Sequence, residues 1–191
     1  MMKNIKSTNT IKLLALLFVS SLAFVGCSSD DDGHHDDHDH EEELITTVRY
    51  TLTNGTDIVT LEFQDLDGEG GADGTYDVSG PLTANTTYTG AIKLLNETEN
   101  PADDITLEVE DEGDDHEFFY TTTISDITIS KNDIDEDGNP IGIATTFVTG
   151  DAGTGSLIIE LIHEPTKPND GTSINAGGST DVEVTFPIQV Q

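Results

Sequence analysis

A chain of 191 residues with 38 acidic side chains against seven lysines and arginines, a formal charge of −31, is ill suited to nucleic acid, since a polyanion is repelled where counterion release would otherwise drive binding. Such a charge suits cations, basic proteins or neutral glycans, and it also keeps a crowded surface protein soluble. Hydrophobic residues at 34% with no tryptophan are enough for one sheet-rich core, and the single cysteine rules out a disulfide within the chain.

Residues 1–12 carry Lys3, Lys6 and Lys12 and no acid, then run into Leu13-Leu14-Ala15-Leu16-Leu17-Phe18-Val19 and stay largely apolar to Val25. This is the basic head and apolar body of a signal peptide, too short for a comfortable membrane span and followed by no stop-transfer pattern. The segment ends in Phe24-Val25-Gly26-Cys27, which resembles the lipobox of bacterial lipoproteins, with Phe24 where that motif usually has leucine. The resemblance implies removal of residues 1–26 and lipid on Cys27, whose acyl chains hold the protein to a membrane without a transmembrane helix. Ser28-Ser29-Asp30-Asp31-Asp32 behind it resembles the surface-export signal of lipoproteins in the Bacteroidota. The expected place is the outer membrane, lipid-anchored and surface-exposed, with a periplasm-facing orientation left open.

From Ser28 to Glu43 the chain has no apolar residue, so nothing offsets the entropy of ordering and residues 27–43 are expected to be an extended acidic tether. His34, His35, His38 and His40 are interleaved there with nine carboxylates. Imidazole nitrogen suits zinc, copper and nickel, carboxylates complete the sphere, and a flexible chain can wrap to tetrahedral geometry, which makes the four histidines a zinc-capture candidate. Binding of that kind weakens below about pH 6 as imidazoles protonate. A plain solvated spacer is the competing reading.

Residues 44–191 form the folded domain of the prediction, and period-two alternation dominates it. Leu44, Val48, Tyr50 and Leu52 face one way against Ile45, Thr47, Arg49, Thr51 and Thr53, then Asn54-Gly55 precedes Val59, Leu61 and Phe63, which predicts a hairpin with a primed turn. Shorter strands follow at 76–79, 87–95, 117–122, 126–130, 142–148 and 155–163. Pro101–Asp115 is the exception: Ala102, Ile105 and Val109 fall at helical spacing behind Asn100-Pro101, although Ile105, Leu107 and Val109 also alternate, and a short crossing helix is the favoured reading. In the last strand Val182, Val184, Phe186, Ile188 and Val190 oppose Glu183, Thr185, Pro187 and Gln189, and Pro187 places it at an edge or a bulge. Eight or nine short strands with Gly, Asn and Asp turns predict an all-β protein, an antiparallel immunoglobulin-like β-sandwich.

Two loops resemble cation sites. Asp133, Asp135 and Asp137 alternate ahead of Gly138 as in a calcium loop, but Ala144 stands at the twelfth position and an ordinary turn accounts for the residues equally well. The glycine-rich run from Asp65 to Gly74 could also wrap calcium or be a mobile loop. His116 and His163 each have a neighbouring acid and could join a zinc site or an acid–base pair, though lone histidines at strand ends are commoner. The chain lacks a nucleophile elbow, a phosphate-cradling loop and a dinucleotide fingerprint, so an enzyme is not expected.

Thr87-Tyr88-Thr89-Gly90-Ala91-Ile92, Asp115-His116-Glu117-Phe118-Phe119-Tyr120, His163-Glu164-Pro165 and the run from Asn175 to Phe186 together resemble a group of small flavobacterial lipoproteins. That group often carries the label "type 1 periplasmic binding fold superfamily", and the resemblance, which spans nearly the whole mature chain, implies no particular activity. The named fold consists of two doubly wound α/β lobes, whereas the alternation here predicts a sandwich. The expectation is a non-catalytic, membrane-anchored binding module that captures a divalent metal and passes it to an outer-membrane receptor. The alternative is an adhesion or accessory module that binds a surface protein or glycan.

Overall fold

Among the described residues, alternating apolar and hydroxyl-bearing side chains make nine strands, and the polar faces they leave outward dictate a two-layer packing. The structure, a computed structural model, describes residues 44–68 and 71–191. The signal segment, Cys27 and the tether histidines His34, His35, His38 and His40 lie outside the described residues.

Strands β1 (Thr47–Asn54) and β2 (Asp57–Gln64) form the expected hairpin, with Asn54 opposite Asp57 and Gly55 at φ 58 in the first central position of a two-residue turn. A positive φ there is what a primed turn requires, and glycine adopts it without a Cβ clash. The remaining elements are β3 (Thr75–Val78), β4 (Thr87–Leu95), helix α1 (Ile105–Asp111), β5 (His116–Thr122), β6 (Thr128–Lys131), β7 (Ala144–Val148), β8 (Gly153–His163), the one-turn α2 (Ser173–Ala176) and β9 (Ser179–Val190). All paired strands are antiparallel. They form a six-stranded sheet in the order β3-β2-β1-β4-β7-β6 and a three-stranded sheet in the order β5-β8-β9.

The core lies between these sheets, where Val48, Tyr50, Leu52 and Leu94 of the larger meet Phe118, Leu157, Ile159, Leu161, Val184 and Phe186 of the smaller. Burying side chains of this size contributes roughly 1.5–3 kcal/mol each. At its centre the Tyr50 hydroxyl lies 2.6 Å from the Thr145 hydroxyl, and burial pushes the phenol well above its ordinary range. Gly90 makes that pair possible: a Cβ there would stand 2.3 Å from Thr145 Oγ1 and 2.4 Å from the Tyr50 hydroxyl. The fold is thus the expected antiparallel sandwich, and Pro187 sits on β9, an edge strand of the smaller sheet. Among the described residues no helix is long and apolar enough to cross a membrane.

Two local expectations shift. Leu44 precedes β1 and is 52% exposed, so the first apolar stripe begins at Val48. The helix starts at Ile105 rather than at Pro101, because Asn96 and Asp103 exchange two backbone hydrogen bonds of 3.0 Å and hold the residues between them in a loop. Ile105 and Val109 are buried while Leu107 is 58% exposed, so the helical spacing prevails over the alternation.

Candidate metal centre

The smaller sheet gathers three ligand-type side chains at one end. His116 opens β5 and His163 closes β8, and the two are direct cross-strand partners. The Glu164 N–H donates to the Asp115 carbonyl at 2.6 Å, one residue outside the pair, so His116 and His163 occupy a non-hydrogen-bonded position, where opposed side chains approach most closely. Their rings stack with centroids 4.8 Å apart and planes 19° from parallel. Both follow the parity of Phe118 and Leu161 and therefore point to the inner face.

The third residue is supplied by an irregularity of β9. Leu161 pairs with Val182 and Ile162 with Thr180, so Asp181 is the extra residue of a β-bulge. Strict alternation would turn Asp181 outward with Glu183 and Thr185, and the bulge re-aims it. Its side chain is only 2% exposed, with one carboxylate oxygen 3.8 Å from His116 Nε2 and the other 3.9 Å from His163 Nδ1. Ligand atoms from all three residues lie within 4.8 Å of one another.

The hydrogen bonding of His116 orients one nitrogen of its ring toward the other two residues. Its Nδ1 lies 3.1 Å from the Glu112 carbonyl, which only accepts, so Nδ1 carries the proton. In neutral imidazole Nε2 then presents a lone pair, and that atom is fully buried and has no hydrogen-bond partner. It faces a carboxylate at a distance too long for an N–H···O bond. Two ligands each about 2.0–2.1 Å from a tetrahedral ion are roughly 3.4 Å apart, so contraction by a few tenths of an ångström would let a zinc-sized cation bridge them. A backbone carbonyl fixing the far nitrogen of a ligand histidine is the usual outer support of such sites.

The chain between β8 and β9 closes over this end. The Lys167 side chain is buried there, and its ammonium donates to the carbonyls of Gly113 and His116 and to Asp135 at 3.1 Å. Gly178, at φ 72, passes so close that a Cβ would lie 2.1 Å from the His163 carbonyl oxygen. Behind the histidines, on the opposite face of the sheet, Phe119, Ile162 and Ala176 form a separate small apolar cluster.

The other candidates are placed differently. Asp133 accepts the N–H groups of Gly142 and Ile143 at 2.9 and 2.8 Å, Asp135 accepts the Asn139 N–H at 2.7 Å, and Asp137 is exposed. Burial alone would push Asp135 up, but the Asn139 N–H and the Lys167 ammonium outweigh it and hold the carboxyl below its usual range. These carboxylates are spent on closing a turn, and the three are not gathered as a ligand group. The glycine-rich loop is also held locally, with Asp65 accepting from the Gly68 N–H at 3.0 Å and Asp67 from the Ala72 N–H at 2.9 Å.

Sequence reasoning named His116 and His163 singly, each with an acid beside it in the chain. The acid that meets them is Asp181, hidden by the outward parity of its strand. No protein-family model, curated protein or solved structure matches the chain.

Proposed function

We propose that the protein is a non-catalytic, lipid-anchored binding module of the outer membrane, displayed on the cell surface, whose domain holds one divalent metal ion, zinc in the first place. The single observation that carries this reading is the buried Nε2 of His116, which has no hydrogen-bond partner and lies 3.8 Å from an Asp181 carboxylate oxygen, beside His163. A ring nitrogen and a carboxylate oxygen shielded from water at this spacing can converge on one cation, and two imidazoles with a carboxylate match zinc. The ligand side chains are 0, 9 and 2% exposed, which leaves a substrate no route to a bound ion and favours binding over catalysis. The tether histidines His34, His35, His38 and His40 add, on the strength of their sequence, a second and exchangeable capture stage.

Calorimetric titration with zinc tests this on lipid-free protein starting at Ser28, beside protein starting at Leu44. The expected result is one tight ion per chain in the shorter form and additional weaker, acid-sensitive binding in the longer one. A shorter form that takes up no zinc at neutral pH would sink the domain site, and equal uptake by both forms would remove the tether's share.

A further inference from the structure

Resting on that reading, we propose that the domain ion is a lock rather than cargo: it cross-links β5, β8 and β9 and fastens the connection of residues 164–178 over the end of the smaller sheet. The three ligands come from the three strands of that sheet, and each stands where its strand meets a loop. His116 directly follows the turn after α1, His163 directly precedes the connection, and Asp181 lies two residues into the strand that receives it. An ion held by all three therefore closes the 164–178 segment at both of its ends and ties it to the start of β5.

The chain supplies several reasons for such a lock at this place. The domain has no cysteine, so no disulfide staples residues 44–191. The connection itself offers limited apolar burial: Pro165 and Ala176 are buried, while Ile174 is 88% exposed. The connection reaches the sheet through Asn169 on Glu117 and Ser173 on Glu160, and it reaches the chain around the start of β5 through the Glu164 N–H on the Asp115 carbonyl and the Lys167 ammonium on the carbonyls of Gly113 and His116. The Glu164 and Lys167 contacts converge on residues 113–116, which end in the ligand His116. Fixing His116 and His163 on one ion consequently holds the docking site of the connection in place. Burial of the ligands also suits slow exchange, which a permanent structural ion shows and a transported one does not.

Hydrogen-exchange mass spectrometry on the full chain purified in detergent, with saturating zinc or with a chelator, tests the lock. The expected result is that zinc slows amide exchange in 164–178 and at the start of β5 at least tenfold, and that Asp181→Asn abolishes the difference while binding one zinc fewer. If wild type binds one zinc more than Asp181→Asn but exchanges equally with and without metal, the ion is cargo: the lock fails and the metal reading stands. If wild type and variant bind the same amount of zinc, the domain site fails and the lock fails with it. The comparison within wild type remains decisive even if the variant folds poorly.

Discussion

Lys167 is the residue on which the closed end of the sandwich turns, and its partner Asp135 shows what the burial costs. The two side chains are 6 and 1% exposed, and the ammonium is otherwise held only by carbonyl oxygens. Removing one charge from a buried pair leaves the other uncompensated, an effect of about 3–5 kcal/mol where both are fully enclosed. Asp135→Asn should therefore lower stability by roughly 3 kcal/mol in urea unfolding, and adding Lys167→Met should recover a large part of it. The same pair sets a pH dependence. Because the folded carboxyl lies below its usual range, its stabilisation is complete above the unfolded value of roughly 4 and drains away as pH falls through the depressed folded value. Asp135→Asn should accordingly unfold with a shallower acid dependence than wild type, and an unchanged midpoint at neutral pH would show the pair to be energetically idle.

The bulge of β9 is the element that brings Asp181 to the two histidines, and its construction allows a clean test. Leu161 pairs with Val182 and Ile162 with Thr180, so excising Asp181 would leave a regular ladder with every other partner unchanged. Deletion of Asp181 is expected to keep the strand content and to change stability by less than about 1 kcal/mol in the presence of chelator, while removing the proposed domain zinc site. Circular dichroism beside zinc calorimetry checks both halves, and global unfolding of the deletion would show the bulge to be needed for pairing itself. The bulge also explains which features were legible beforehand. Strands β1, β2, β4, β8 and β9 followed from alternation because each has one face on the core, and Gly55 announced the first turn. Helix α1 was ambiguous because Ile105, Leu107 and Val109 satisfy both periods until Leu107 is found in solvent. The histidine pair needed the β5–β8 register, which no local pattern encodes, and Asp181 was masked because a one-residue insertion reverses the parity on which the reading depended.

Across the whole molecule the sign of the charge is nearly uniform, and the few cations do not relieve it at long range. The described domain has four basic residues, and each is already paired: Arg49 with Glu62, Lys93 with Asp104, Lys131 with Glu117 and Lys167 with Asp135. Their positive charge is thus cancelled locally, while Lys131 also lies 4.2 Å over the Phe119 ring and is itself partly removed from solvent. The remaining acids repel one another through water, and this self-repulsion opposes the compact state. Salt screens exposed charges over about 10 Å at 0.1 M and about 3 Å at 1 M, but weakens close, buried pairs far less. In chelator, to exclude any contribution from metal, raising sodium chloride from about 20 mM to about 0.5 M should therefore increase the melting temperature. A gain of about 1 kcal/mol corresponds to roughly 2–4 °C for a domain of this size. A fall in melting temperature over that range would mean that the four ion pairs outweigh the surplus acids. A rise would identify the acidic exterior as a stability cost.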